Sequence, residues 1–166
     1  MRRLILQATL IALATAGHAQ AGDVAEPSPV MEAPLATLAE EPFAGPVPIL
    51  PDAFKWTAPP DMPTLEAAWI LGSEKDAGPY VLRIRLAEGG RVGVHTHPED
   101  RVTSVLSGTL YVGFGTVFDE TRVHAVPAGA VYLAPADQPH YVWAKDGDVE
   151  YQENGFGPTG THFNPR

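Results

Sequence analysis

The stretch GGRVGVHTHPEDRVTSVLSGTL, residues 89–110, decides how this chain reads. It carries two histidines one residue apart, a short acidic turn, and a further strand that closes at Ser107-Gly108. With residues 93–97 extended, side chains alternate between faces, so His95 and His97 share one of them. Two imidazoles on one face make a chelating pair, and such a pair needs a third ligand from elsewhere. His140, in ADQPHYVWA, is the candidate.

On either side of this stretch the pattern is one of strands and turns. AAWILG is an apolar run, and Asp76-Ala77-Gly78-Pro79 marks a turn. YVLRIRLAE alternates, with Tyr80, Leu82, Ile84 and Leu86 on one face and Arg83 and Arg85 on the other. Beyond residue 100, VTSVLSGTLYVGFG reads as two short strands in a hairpin around Ser107-Gly108. Lys145-Asp146-Gly147-Asp148 carries a hairpin turn signal, and DVEYQENG reads as the last strand. Strands at intervals of roughly ten residues without a helical period predict an all-β sandwich or barrel. Seventeen prolines and sixteen glycines favour the same turn-rich class.

Upstream, residues 22–63 are dense in Pro, Ala and Glu, which forbids a continuous helix or a central strand. This segment is expected to be an extended arm. Its apolar residues Phe43, Ile49, Leu50, Phe54 and Trp56 either pack along the outside of their own domain, the preferred reading, or reach a second subunit. Residues 1–21 have the form of an export signal: Arg2 and Arg3, an apolar core too short to span a bilayer, then Ala19-Gln20-Ala21. The expected organisation is a signal peptide (1–21), the arm (22–63), a β-domain (64–160) and a tail (161–166), with a periplasmic or secreted destination. Cleavage removes two arginines and no acids, taking the net charge from −9 to −11. Such a charge disfavours nucleic acid or an anionic membrane surface as a partner. With no cysteine in the chain, disulfides, thiolate ligands and cysteine nucleophiles are excluded, and a metal would rest on nitrogen and oxygen.

Taken together, these motifs resemble the cupin superfamily. Gly89, His95-Thr96-His97 and Gly108 fall at the positions of its first motif; Gly129, Pro135 and His140 fall at those of its second. The likeness spans roughly residues 65–158, and it implies a jelly-roll β-barrel with the Pro-rich arm attached. Three departures stand out. Arg101 occupies the place of the metal-binding Glu, Asp137 replaces the Gly of the Pro-x-Gly turn, and Ala144 replaces the closing Asn. The turn changes are mild, because Asp tolerates turn conformations. Arg101 leaves the usual three-His-one-Glu set incomplete.

Three neutral imidazoles, from His95, His97 and His140, suffice to hold Fe, Zn, Mn, Ni or Cu in the +2 state with positions left open. Glu99, two residues beyond His97, is a substitute fourth ligand, although Pro98 stiffens its path back. Arg101 has three fates: pairing with Glu99, Asp100 or Glu120; holding a substrate anion above the metal; or marking a site that binds no metal. Against the metal stands a barrel in which the three rings hydrogen-bond polar groups instead. His18 lies in the signal, His124 belongs to a surface strand, and His162 sits in the tail GPTGTHFNPR, for which folding back over a barrel mouth, with His162 as a site residue, is the less favoured reading. Tyr111, Tyr132, Tyr151 and Gln152 read as core or interface side chains rather than site residues.

The leading functional expectation is a metalloenzyme acting on a small organic molecule, most similar to the dioxygenase branch that the resemblance implies. The alternative is a non-catalytic cupin that binds or senses a small molecule, metal-free or with a structural metal. The resemblance also implies a homodimer. An uncleaved membrane anchor is the rival to the export signal; Gln7, two threonines and the short apolar length argue against it, so the chain is expected not to be membrane-embedded.

Overall fold

The computed structural model describes residues 48–163. The signal segment with His18, the arm as far as residue 47 with Phe43, and residues 164–166 lie outside the described residues. Ten strands run in chain order: β1 (Leu65–Leu71), β2 (Gly78–Leu86), β3 (Arg91–Thr96), β4 (Arg101–Ser107), β5 (Thr109–Phe114), β6 (Val123–Pro127), β7 (Val131–Ala134), β8 (His140–Trp143), β9 (Val149–Gly157) and β10 (His162–Phe163). Among the described residues the only helical element is a 3-10 turn at Pro51–Ala53. No helix among them is long and apolar enough to cross a membrane.

The strands form two five-stranded antiparallel sheets, ordered β1-β2-β9-β4-β7 and β10-β3-β8-β5-β6. Successive strands mostly alternate between the sheets, as in a jelly roll. The period-2 pattern explains why each strand sits as it does. Tyr80, Ile84 and Leu86 of β2 are buried, whereas Arg85 is exposed. Val149, Tyr151 and Glu153 of β9 point inward together. Inward residues of both sheets, among them Ile84, Val105 and Tyr151 from one and Leu110, Val112 and Val142 from the other, join a single apolar cluster. Burying each such side chain contributes about 1.5–3 kcal/mol.

Two expected hairpins are corners instead. β4 pairs with β7 and β9, whereas β5 pairs with β6 and β8, so Ser107-Gly108 passes the chain from one sheet to the other. Gly108 has φ +72°, and a Cβ there would lie 2.3 Å from the Asp148 carbonyl oxygen. The turn at residues 145–148 likewise links β8 of one sheet to β9 of the other. Local turn chemistry is the same for a hairpin and for a sheet switch, and long-range pairing makes the choice. Nor is β9 the last strand: β10 follows and pairs with β3, His162 opposite Thr96 and Phe163 opposite His95.

The described end of the arm lies along its own domain. Arg85 stacks over Trp56 at 3.9 Å and Arg83 lies 5.3 Å from the Phe54 ring, while Ile49 and Leu50 are exposed. Asp137 has φ +58°, a left-handed conformation that Asp reaches more readily than most residues. Its N–H donates to the His97 carbonyl at 2.8 Å, tying the turn before β8 to the end of β3.

Candidate metal centre

His95 on β3 and His140, the first residue of β8, are direct cross-strand partners, and His97 follows at the end of β3. Register between the two strands shifts between Val92 and His95, where the pairing is irregular. Ring centroids lie 4.2 Å apart for His95–His140, 4.8 Å for His95–His97 and 5.2 Å for His97–His140. All three side chains are buried, and each offers a ring nitrogen within 4.8 Å of the others.

Backbone carbonyls orient every ring. His95 Nδ1–H donates to Gly93 O at 2.7 Å, His97 Nδ1–H to Gly160 O at 2.7 Å, and His140 Nδ1–H to Gln138 O at 2.9 Å. A carbonyl only accepts, so the proton sits on Nδ1 and the Nε2 lone pair is left free in all three. His97 Nε2 is buried without a partner. An unpaired buried acceptor is costly, and a cation at this point would relieve it. Burial, and then repulsion from His140, lowers the His95 pKa to about 4; burial, and then Arg101, lowers His97 to about 2. Burial lowers His140 as well. Neutral rings with their N–H tied to backbone acceptors are the form in which imidazoles bind metal, so the donor set fits a divalent transition ion.

Arg101 takes the first of its three fates. It is buried, with Nε donating to Glu99 Oε1 at 2.7 Å, Nη1 to Glu153 Oε2 at 2.5 Å, and Nη2 to Thr159 Oγ1 at 2.6 Å. Asp100 instead accepts from Ala136 N–H, and Glu120 pairs with Arg91. Burial opposes charge on Arg101, but Glu153 and Glu99 outweigh it and hold the guanidinium protonated. As a candidate anion contact Arg101 is therefore already engaged by acceptors of its own chain. Glu99 is not in the three-histidine group. Its Oε1 accepts from Arg101, from the Tyr80 hydroxyl at 2.7 Å and from Thr159 at 2.6 Å. Burial raises the Glu99 pKa, but these hydrogen bonds prevail and keep it ionised.

Sequence reasoning missed Glu153, Thr159, Gly160 and Phe163. A signal for Glu153 exists: in VEYQENG it keeps step with Val149 and Tyr151, which puts an acid on the core face. Residues 159 and 160 carried no signal. A cavity of about 150 Å³ is bordered by His95, His97, Arg101 and Glu153, by apolar residues of both sheets, and by Thr161 and Phe163 of the tail. Phe163 stands 5.8 Å from the His95 ring. A larger depression of about 390 Å³, lined by Glu66, Arg85, Asp148 and Glu150 among others, includes none of the imidazoles. His124 and His162 are exposed, Tyr132 and Tyr151 belong to the core, and Gln152 accepts from Arg83 on the outer face. Tyr111 is half-buried and bonds Asp146.

No family model matches the chain, and no curated protein matches it. Solved structures do. The polyketide cyclase RemF from Streptomyces resistomycificus superposes with a TM-score of 0.58 at 13% identity, over 72% of this chain and 84% of that one. KdgF from Halomonas sp. gives 0.53 at 16%, over 65% and 92%. The DMSP lyase DddQ from Ruegeria pomeroyi DSS-3 gives 0.53 at 13%, over 64% and 57%. Other matches are named as cupin 2 conserved barrel domain proteins. At such identities the likeness is one of fold.

Proposed function

From a chain with the cupin fold and three neutral imidazoles turned toward one point, we propose an exported metalloprotein that binds and transforms a small organic molecule. His95, His97 and His140 hold one divalent transition metal through their Nε2 atoms. When bound, the ion supplies Lewis-acid polarisation and open coordination positions, the chemistry on which dioxygenase-like and other small-molecule conversions draw. The chain itself supplies orientation through Gly93, Gln138 and Gly160, and a largely apolar chamber beside the rings. The observation that carries this reading is the buried, unpartnered Nε2 of His97 among three rings of one tautomer.

Metal analysis after metal-supplemented expression tests it. About one ion per chain is expected, with retention abolished in His97→Ala and kept in the exposed His124→Ala. Metal-free protein, or equal loss in both variants, overturns the assignment. A non-catalytic binding role is the second reading, favoured by the mutual engagement of Glu99, Arg101 and Glu153 through the donors of Arg101. Export belongs to the same proposal: cleavage after residue 21 would give a mature chain beginning at Gly22, which N-terminal sequencing reads. A homodimer is supported by the exposed Val131 and Leu133 on edge strand β7 together with Ile49 and Leu50. Sedimentation at a single monomer mass would remove that part.

A further inference from the structure

The cavity beside the imidazoles has a size, a lining and a charge state, and the three together specify a ligand class. About 150 Å³ is the volume of an engineered apolar cavity that accepts benzene, so it admits about six or seven non-hydrogen atoms. Leu82, Ile84, Val92 and Val142 line it, with Phe163 from the tail. Arg101 is the only cation among the lining residues, and its donors go to Glu99, Glu153 and Thr159. An anion entering here would find no free positive side chain and would face the Glu153 carboxyl. Its desolvation would go uncompensated. Among the residues lining the cavity, His97 Nε2 is the buried polar atom left without a partner, and it is an acceptor; Glu99 Oε2, outside the lining, is a second unpartnered acceptor.

We propose that the site takes a small, uncharged alcohol or phenol of about six or seven non-hydrogen atoms, its hydroxyl at the imidazoles and its apolar body among Ile84, Val92 and Val142. In the metal-free protein the hydroxyl donates to His97 Nε2; in the loaded protein its oxygen lone pair faces the ion. Only the contact with the ion rests on the metal-binding function proposed above. Selection against anions follows from the way Arg101 is used: the residue that looks like an anion anchor is neutralised from within.

Calorimetric titration of metal-free and zinc-loaded full-length protein at pH 7 tests this with phenol, benzoate and 2-naphthol, zinc content being measured separately. Phenol is expected to bind the metal-free form at least tenfold more tightly than benzoate, and both forms at least tenfold more tightly than 2-naphthol. Ile84→Phe should weaken phenol at least tenfold at unchanged zinc content, and Glu153→Gln, by releasing Arg101, should raise benzoate affinity several-fold. On the metal-free protein, benzoate equal to or tighter than phenol overturns the charge argument; on either form, 2-naphthol equal to phenol overturns the size argument. If either variant fails to fold, the order of the three ligands on the unsubstituted protein decides alone. Phenol selectivity without zinc uptake would sink the metal reading and leave this one standing; stoichiometric zinc with no phenol binding would do the reverse.

Discussion

Replacing Arg101 by Met tests whether this residue is a structural keystone or a spare cation. Met has similar length and no charge, so the substitution removes donors to Glu99, Glu153 and Thr159 while largely filling the space. It leaves Glu153, only 6% exposed, without its cation. Breaking one side of a buried ion pair costs about 3–5 kcal/mol, because the survivor keeps its desolvation penalty without its partner. For a domain of this size that lowers the thermal midpoint by about 10–20 °C. The companion Arg101→Met/Glu153→Gln removes both charges and should recover about 1–3 kcal/mol of the loss, since a neutral amide is far easier to bury. Urea unfolding followed by tryptophan fluorescence measures the parent, Arg101→Met, Glu153→Gln and the double variant. A single variant within about 1 kcal/mol of the parent, or a double variant as poor as the sum of its parts, would refute the view that Arg101 is locked by buried acids.

Acidification offers an independent check on the metal-free protein. His95 and His97 stay neutral in the native state down to about pH 4 and about pH 2, because burial disfavours the imidazolium, whereas the unfolded chain protonates near pH 6.5. The unfolded state therefore binds the extra protons, and stability present above pH 6.5 is lost as pH falls. At pH 5 the loss is about 2 kcal/mol per ring, and unchanged urea midpoints between pH 7 and 5 would contradict it. Asp137→Gly should leave stability within about 0.5 kcal/mol, whereas Asp137→Val should cost about 1–3 kcal/mol at a left-handed position; equal effects in denaturant melts would mean the turn is not held there. Gly113→Ala places a Cβ about 2 Å from the Tyr141 ring, so it should cost about 1–3 kcal/mol and release the hydroxyl from Asp119; an unperturbed melt would count against that packing.

The three rings were legible because strand alternation and motif spacing bear on them directly. His95 and His97 share a short extended run, and the second motif puts His140 in register. The apolar alternation of β2 was equally plain. Arg101 was harder. Its departure from the familiar pattern was visible, but its partner Glu153 is 52 residues away, and Thr159 58 away. Which acid a buried arginine meets depends on strand pairing, and a turn such as Ser107-Gly108 does not announce whether the chain stays in its sheet. That the tail folds back over the barrel was one reading of GPTGTHFNPR, but its contact with His97 was hidden for a different reason. Gly160 acts through its backbone carbonyl, and a main-chain acceptor leaves no trace in residue type.

That carbonyl also imposes an order of assembly. His95 and His140 are aimed by acceptors two residues earlier, available as soon as each local segment forms. His97 waits for Gly160, 63 residues further along the chain. A chain lacking the segment around residue 160 can therefore present two aligned rings but not three, and completion of the centre is governed by the docking of that segment.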